Sequence, residues 1–318
     1  MRAILAGLNH YQRVPRLPRP AEPAVHAAVG RARLVDYGGS GAPVIFVPSL
    51  INPSYVLDLA EDNSLLRWLA QQGVRPMLVD WGTPAPDERG RGLSDHVMEL
   101  LLPLIDSVGA PCHLAGYCLG GTLATAAALH RPPLSLTLIA APWRFAGFPD
   151  SAREAMAGLW RESQRTAGIL GMLPMEALQA AFWMLDPERT VTKYERFGRL
   201  AFDSPAARAF VQLEDWANAG APIPLEAARE LAEDLFARDL SGAGAWRVGG
   251  RIVDPAALDA PVLEIISSVD RLVPEASAMR CGTVETLALG HVGMVVGARA
   301  RTALWEPLAR WLSPTGRA

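Results

Sequence analysis

The sequence predicts an α/β fold in which a mostly parallel sheet carries helices on both faces and is interrupted by a helical cap insertion. Continuous apolar runs such as residues 43–47 (PVIFV) are typical of strands buried on both faces. These runs alternate with segments of helical periodicity, which favours parallel strands connected by helices. Between residues 143 and 254 the strand pattern stops and the periodicity is helical throughout, which indicates the insertion.

The elements can be placed in chain order. The first 30 residues contain a cluster of prolines and are expected to form an irregular arm. Asn63 or Ser64 is the expected N-cap of the first helix, and Gly73 its stop. Predicted strands lie at residues 32–37, 43–47, 76–80, 112–115, 134–140, 261–267 and 284–289, and predicted helices at 64–72, 93–108, 119–130, 274–279 and 298–312. The domain prediction is an arm at 1–30, a core at 31–142 and 255–318, and a cap at 143–254.

Composition excludes several classes of protein. Half of the 318 residues are hydrophobic and a fifth are charged, which suits a large buried core. The net charge of −3, without a run of Lys or Arg, gives no sign of nucleic-acid binding. We find no apolar stretch of about 18 residues and no signal peptide, so we expect no transmembrane segment. Three irregularly spaced cysteines do not suit a disulfide framework or a zinc site, and a cytoplasmic protein without metal or cofactor is expected.

A nucleophile is predicted at Cys118. Residues 116–121 read GYCLGG between a predicted strand and a predicted helix, the context of the nucleophile elbow in α/β-hydrolases. Glycines two residues to either side allow the close backbone contacts of that sharp turn. The N-terminus of the following helix favours a thiolate. The alternative is a small buried cysteine in a glycine-rich contact. Cys112 and Cys281 lack such a frame and are interpreted as core thiols.

The acid and the base are sought downstream, because in α/β-hydrolases they follow the nucleophile in that order. His130 ends the helix after the elbow and points away from the site, whereas His291 lies in a loop after a predicted strand. His291 is therefore the predicted base. Asp270 follows the strand at 261–267 and is predicted to orient the imidazole of His291. The alternatives are a structural histidine and a solvated turn aspartate.

Acyl transfer also requires donors for an oxyanion. The first is expected to be the backbone N–H of Leu119. The second should come from the loop after residues 43–47, where Pro48 has no N–H, so Ser49 or Leu50 is the candidate. A cysteine nucleophile exchanges with an acyl thioester at almost no change in free energy, which favours thioester substrates and transfer of the acyl group.

The GYCLGG motif resembles the active-site box of the polyhydroxyalkanoate synthases. The similarity extends over about residues 43 to 313 and includes INPSYVLDL at 51–59, NSLLRWL at 63–69, VDWG at 79–82, GGRIVD at 249–254 and GHVG at 290–293. Within the insertion, FWMLDP at 182–187 and KYERF at 193–197 resemble the cap of the class III catalytic subunit. Two departures stand out. Arg271 occupies the position after the aspartate where the family usually has His, and DWANAG at 215–220 replaces the W-N-x-D-T-T motif of the longer classes.

This resemblance implies an α/β-hydrolase core with a mobile cap, and (R)-3-hydroxyacyl-CoA, most commonly 3-hydroxybutyryl-CoA, as substrate. It implies that Cys118 is acylated, that His291 activates the thiol and the incoming 3-hydroxyl, and that Asp270 supports His291. It also implies a homodimer, a separate accessory subunit, and contact with a growing polyester chain or granule surface. The alternative is a cysteine hydrolase, either a thioesterase, an esterase or a polyester depolymerase. A catalytically idle scaffold subunit is a third hypothesis, against which the intact Cys/Asp/His order argues.

Overall fold

A mixed sheet lies at the centre of the computed structural model, which describes residues 2–179 and 187–313. Over these residues the sheet has eight strands in the order β1-β2-β4-β3-β5-β6-β7-β8. The pairs β1–β2 and β2–β4 are antiparallel and the remaining pairs are parallel, so the predicted mostly parallel sheet is confirmed. The strands are β1 (Ala24–Val29), β2 (Ala32–Asp36), β3 (Pro43–Val47), β4 (Arg75–Asp80), β5 (His113–Tyr117), β6 (Leu136–Ile139), β7 (Val262–Ser267) and β8 (Thr283–Leu287).

Helices flank this sheet and fill the insertion. Ser64 caps α2 by accepting the Arg67 N–H at 3.1 Å, which decides between the two predicted N-caps. No helix among the described residues is long and apolar enough to cross a membrane. The helices are α1 (Arg2–Arg13), α2 (Leu65–Gln71), α3 (Leu93–Asp95, the π-helical His96–Leu101 and Leu102–Ser107), α4 (Leu119–His130), α5 (Asp150–Leu170), α6 (Pro187–Phe197), α7 (Pro205–Asn218), α8 (Leu225–Arg229 and the π-helical Glu230–Ala237), α9 (Gly293–Val296) and α10 (the π-helical Arg301–Trp305 and Glu306–Leu312).

Short elements connect these units. Single 3₁₀ turns lie at Ser54–Leu57, Pro86–Gly90, Phe145–Gly147, Pro255–Ala257 and Glu275–Ser277. Two-stranded antiparallel pairs join Asp58–Ala60 to Asn63–Ser64, Met172–Leu173 to Ile223–Pro224, and Arg247–Val248 to Arg251–Ile252. Two of these pairs fall in the insertion, where no buried strand was expected, and they are too short to extend the main sheet.

The hydrophobic core has two halves, one on each face of the sheet. All residues of β3 are buried, and successive side chains point to opposite faces. Ile45 and Val47 pack in the cluster that includes Leu123 of α4, while Val44 and Phe46 pack in the cluster that includes Trp305 of α10. The continuous apolar run that predicted this strand therefore serves both halves of the core.

Two local predictions were wrong. Residues 1–30, expected to be irregular, contain α1 and the edge strand β1, which is held by pairing to β2 and has no alternation of apolar and polar residues that would predict a strand. The predicted helix at 274–279 is reduced to a 3₁₀ turn. The N–H groups of Met279 and Arg280 instead donate to the buried carboxylate of Glu264 in β7, both at 2.6 Å, and are therefore not available for bonds within a helix.

Helix α1 packs on the inserted helices. Val14 joins a small apolar cluster with Phe197 of α6 and with Ala207 and Val211 of α7. The N-terminal segment thus contacts the insertion, while β1, which follows it, is part of the main sheet.

Candidate active site

Cys118 occupies a strained turn between β5 and α4, with φ 56° and ψ −136°. Such a backbone costs about 1–3 kcal/mol and persists only where its surroundings enforce it. The glycines make the contacts possible. A Cβ on Gly116 would lie 2.3 Å from the Cα of Gly121, and a Cβ on Gly120 would lie 2.0 Å from the Val47 oxygen. The predicted elbow is therefore present, and α4 begins against the carboxyl end of β3.

Asp270 and His291 meet beyond the carboxyl ends of β7 and β8. His291 Nδ1 lies 2.7 Å from Asp270 Oδ2, and both side chains are almost fully buried. The other carboxylate oxygen accepts the N–H groups of Leu272 at 2.8 Å and Val273 at 3.1 Å. The carboxylate is thus fixed by its own loop before it contacts the imidazole.

His291 also lies close enough to Cys118 for the two side chains to interact electrostatically. Because Nδ1 is engaged by Asp270, Nε2 is the ring nitrogen left to interact with the thiol. The structure therefore places Cys118 close to the hydrogen-bonded pair of His291 and Asp270.

Electrostatics favour a charged imidazole at this point. Burial by itself lowers the pKa of His291, but the adjacent negative charge of Cys118 and the hydrogen bond to Asp270 outweigh it and raise the pKa to about 10. Burial, together with the charges of Cys118 and Asp270, raises the pKa of Tyr117 well above its usual value. The phenol beside the site is therefore neutral and the imidazole can carry a proton.

Two residues that support this arrangement were not found from the sequence. The Tyr117 ring stacks on the imidazole with centroids 5.1 Å apart, and its hydroxyl donates to the His291 carbonyl at 3.2 Å. The Ser267 hydroxyl donates to the Leu289 carbonyl at 2.5 Å and so ties the end of β7 to the histidine loop. The sequence could have pointed to these residues only through their positions. Tyr117 directly precedes Cys118, and Ser267 ends a predicted strand.

The candidate oxyanion donors lie where the loop after β3 meets the elbow. Leu119 is the first residue of α4, and its N–H belongs to the unpaired first turn of that helix. Ser49 and Leu50 are both buried, and the Ser49 hydroxyl accepts the Ile51 N–H at 3.2 Å. The Pro48 carbonyl oxygen is 2.5 Å from where a Gly120 Cβ would be, so loop and elbow are in direct contact.

The other cysteines and His130 lie elsewhere. Cys112 is in the core, where burial raises the pKa of its thiol to about 11. Cys281 packs against the same cluster, and burial also raises the pKa of its thiol. His130 Nε2 is 3.2 Å from the Val248 carbonyl, at the far end of α4 from the elbow. Over residues 2–179 and 187–313, no three His, Cys, Asp or Glu side chains are grouped as a metal site would require.

The cap motifs are only partly within the described residues. Residues 182–186 of the FWMLDP segment lie outside them. In the KYERF segment on α6, Lys193 Nζ lies 2.7 Å and the Tyr194 hydroxyl 3.0 Å from Glu214 Oε2, which joins α6 to α7. Trp216 Nε1 donates to the Pro53 carbonyl at 2.8 Å, so α7 also contacts the loop that follows β3.

No protein-family model matches the chain. Among curated proteins, it is 28% identical to the poly(3-hydroxyalkanoate) polymerase subunit PhaC of Haloferax mediterranei and 29% identical to that of Haloarcula marismortui, each over 85% of this chain. It is 28% identical to the same subunit of Synechocystis over 85% of this chain and 77% of that protein. The chain is a homologue of the poly(3-hydroxyalkanoate) polymerases. It covers only 58% and 60% of the two haloarchaeal polymerase subunits.

Solved structures show the fold of this polymerase homologue. An enol-lactonase from Burkholderia xenovorans superposes with a TM-score of 0.57 at 16% identity, covering 90% of this chain and 98% of its own. An α/β-hydrolase fold protein from Nakamurella multipartita superposes with a TM-score of 0.51 at 20% identity, covering 92% and 99%. The chain has the α/β-hydrolase fold, as predicted.

Proposed function

We propose that the protein is an acyltransferase that polymerises (R)-3-hydroxyacyl-CoA into polyhydroxyalkanoate through Cys118, His291 and Asp270. One observation carries the proposal. A homologue of named poly(3-hydroxyalkanoate) polymerases has a strained elbow cysteine beside a buried, hydrogen-bonded His–Asp pair. That pair can hold and deliver a proton beside the thiol.

The first step is acylation. The Cys118 thiolate attacks the thioester carbonyl, and the oxyanion is stabilised by the Leu119 N–H and by an amide of Ser49 or Leu50. The bond from carbon to the CoA sulfur then breaks, and the protonated His291 gives its proton to the departing CoA thiolate. Asp270 holds the imidazole in the orientation that this transfer needs.

The second step is transfer to a hydroxyl. His291 accepts the proton of an incoming 3-hydroxyl group, whose oxygen attacks the acyl-Cys118 carbonyl. A new ester bond forms, the carbon–Sγ bond breaks, and Cys118 leaves as a thiolate. Because the acyl group stays a thioester until that moment, it remains activated for transfer. If water replaced the hydroxyl, the same residues would give a hydrolase.

The remaining expectations belong to the same proposal. Residues 143–254 would form a cap over the core at 31–142 and 255–318, and strand β1 would belong to that core as well. A homodimer, an accessory subunit and a cytoplasmic location at the granule surface are proposed on the strength of the similarity to the polymerase subunits.

The test is to incubate the purified chain with (R)-3-hydroxybutyryl-CoA, to measure CoA release with a thiol reagent, and to identify the acyl product. Wild-type protein should release CoA and form insoluble polyester, and Cys118→Ala should release none. Cys118→Ser should fold but lose most transfer, because an oxyester is a poorer acyl donor. Cys281→Ser is the matched control and should behave as wild type. Free 3-hydroxybutyrate in place of polyester would replace the synthase by a thioesterase on the same residues.

A further inference from the structure

A buried hydrogen bond joins β4 to the loop that contains the candidate oxyanion donors. The indole Nε1 of Trp81, the residue directly after β4, donates to the Pro48 carbonyl at 3.0 Å. Trp81 is only 6% exposed, so this bond is shielded from water. The described peptide bonds are all trans, and the Ser49 N–H therefore points opposite to the Pro48 carbonyl. The hydrogen bond from Trp81 therefore fixes the orientation of the peptide between Pro48 and Ser49. That peptide determines the direction in which the loop continues to Leu50.

The same carbonyl faces the elbow. It lies 2.5 Å from where a Cβ on Gly120 would be, so it sits between the first turn of α4 and the Trp81 indole. A rotation of this peptide would move the loop amides relative to the Leu119 N–H. Two donors serve one oxyanion only when both are aimed at it before the reaction starts.

Trp81 is itself held on its other side. Arg31, in the turn between β1 and β2, donates to the Trp81 carbonyl at 2.6 Å and to His96 Nε2 at 2.8 Å. An arginine is always a donor, so Nε2 must accept and the proton of His96 is on Nδ1, which donates to the Gly92 carbonyl at 2.6 Å. The His96 and Trp81 rings form an edge-to-face contact, with their centroids 5.9 Å apart. Trp81 is thus held at its ring by His96 of α3 and at its backbone carbonyl by Arg31 of the β1–β2 turn.

We propose that Trp81 is a positioning residue for acyl transfer, which orients the Pro48–Leu50 loop so that its amide can act with Leu119 on the oxyanion. This inference rests on the proposed acylation of Cys118. Trp81 would then influence the acylation rate through its hydrogen bond to the Pro48 carbonyl and without a direct part in the reaction.

The test uses Trp81→Phe, which keeps an aromatic ring and deletes the donor. The burst of p-nitrophenol from p-nitrophenyl butyrate measures acylation of Cys118, and iodoacetamide measures alkylation of the same thiolate. Alkylation forms no oxyanion, so it reports the nucleophile alone. We expect acylation to slow by about 10- to 100-fold, less than the loss on deleting a donor itself, with KM and the alkylation rate within about twofold of wild type.

Trp305→Phe is the matched control. The Trp305 indole is equally buried and donates to the Val295 carbonyl at 2.9 Å, so its loss has a similar effect on stability but should leave acylation unchanged. If Trp81→Phe does not fold, benzothienylalanine at position 81 replaces only the N–H by sulfur and answers the same question. Acylation at the wild-type rate in the variant, or an equal loss of acylation and alkylation, overturns the proposal.

The outcome is independent of the natural substrate. A wild-type burst with p-nitrophenyl butyrate but no CoA release from hydroxybutyryl-CoA would refute the proposed function and still allow Trp81 to be tested. No wild-type burst at all would refute the acylation of Cys118 and this inference with it.

Discussion

Replacing Asp270 with asparagine tests how His291 is oriented. One oxygen of Asp270 accepts two backbone N–H groups, from Leu272 and Val273, and the other contacts His291 Nδ1. In Asp270→Asn the amide oxygen stays with the two backbone donors, so the NH₂ group turns toward His291. Nδ1 must then accept, and the ring proton moves to Nε2, the nitrogen left to interact with Cys118. A protonated Nε2 cannot take the proton of the thiol.

The expected loss is large although every side chain keeps its place. The corresponding change in a serine protease lowers kcat by about 10⁴. A thiol ionises more readily than a hydroxyl, so we expect acylation here to slow by about 10²- to 10⁴-fold, or about 3–5 kcal/mol. Single-turnover CoA release from (R)-3-hydroxybutyryl-CoA measures this rate directly.

The control is Asp254→Asn. Asp254 also accepts a backbone N–H, from Ala256 at 3.0 Å, but it caps a 3₁₀ turn that does not contain a candidate site residue. The Asp254→Asn variant loses one negative charge, as Asp270→Asn does, and should leave the acylation rate unchanged. An Asp270→Asn rate within about threefold of wild type would show that the tautomer of His291 does not limit acylation, and the role given to Asp270 would be wrong.

Two further changes test the packing around the site. Gly120→Ala places a Cβ 2.0 Å from the Val47 carbonyl and should lower the free energy of unfolding by about 2–3 kcal/mol, measured in urea. Gly168→Ala in α5, where the Cβ meets nothing within 4 Å, should be neutral or stabilising by up to about 1 kcal/mol, and equal effects would contradict the crowding argument. Tyr11→Phe removes the hydroxyl that donates to Asp215 of α7 and should cost about 1–2 kcal/mol in the same assay. An unchanged midpoint would mean that the N-terminal helix does not stabilise the insertion.

The positions of the three candidate site residues could be predicted because parallel strands bring their carboxyl ends to one edge of the sheet. Cys118, Asp270 and His291 follow β5, β7 and β8, so strand prediction alone puts them on the same side of the sheet. The glycines two residues to either side of Cys118 predicted the sharp turn between β5 and α4. None of these steps required knowledge of a side-chain contact, which is why they could be made in advance.

Contacts between distant segments were not predictable in this way. The hydrogen bond from Trp81 to Pro48 joins residues that are 33 positions apart, and nothing in either local sequence indicates it. Strand β1 was missed because it is held by pairing to β2, and its mostly exposed side chains show no alternation of apolar and polar residues. Glu264 looked like a strand residue, and its capture of two loop amides appears only once the chain is folded.

Two of the buried histidines, His96 and His291, should make stability depend on pH in opposite directions. Burial, with the nearby charges of Arg31 and Arg91 adding to it, lowers the pKa of His96 from 6.5 to about 4, whereas the pKa of His291 is raised. A lowered histidine pKa contributes stability that is present above pH 6.5 and is lost as the pH falls toward 4, by at most about 3 kcal/mol. The contribution of His291 has the opposite sign and is lost as the pH rises above 6.5 toward 10.

His96→Gln isolates the acidic side of this dependence. The glutamine oxygen can still accept from Arg31, so the variant should be destabilised at pH 7 but should lose less stability than wild type between pH 6.5 and 4.5. The difference between the two urea-unfolding curves removes the contribution of the carboxylates that both proteins share. Because a protonated His96 cannot accept from Arg31, the same titration would loosen the support of Trp81, and acylation by wild type should fall in acid more steeply than alkylation of Cys118. If acylation and alkylation fall equally in acid, the protonation of His96 does not affect the Pro48–Leu50 loop.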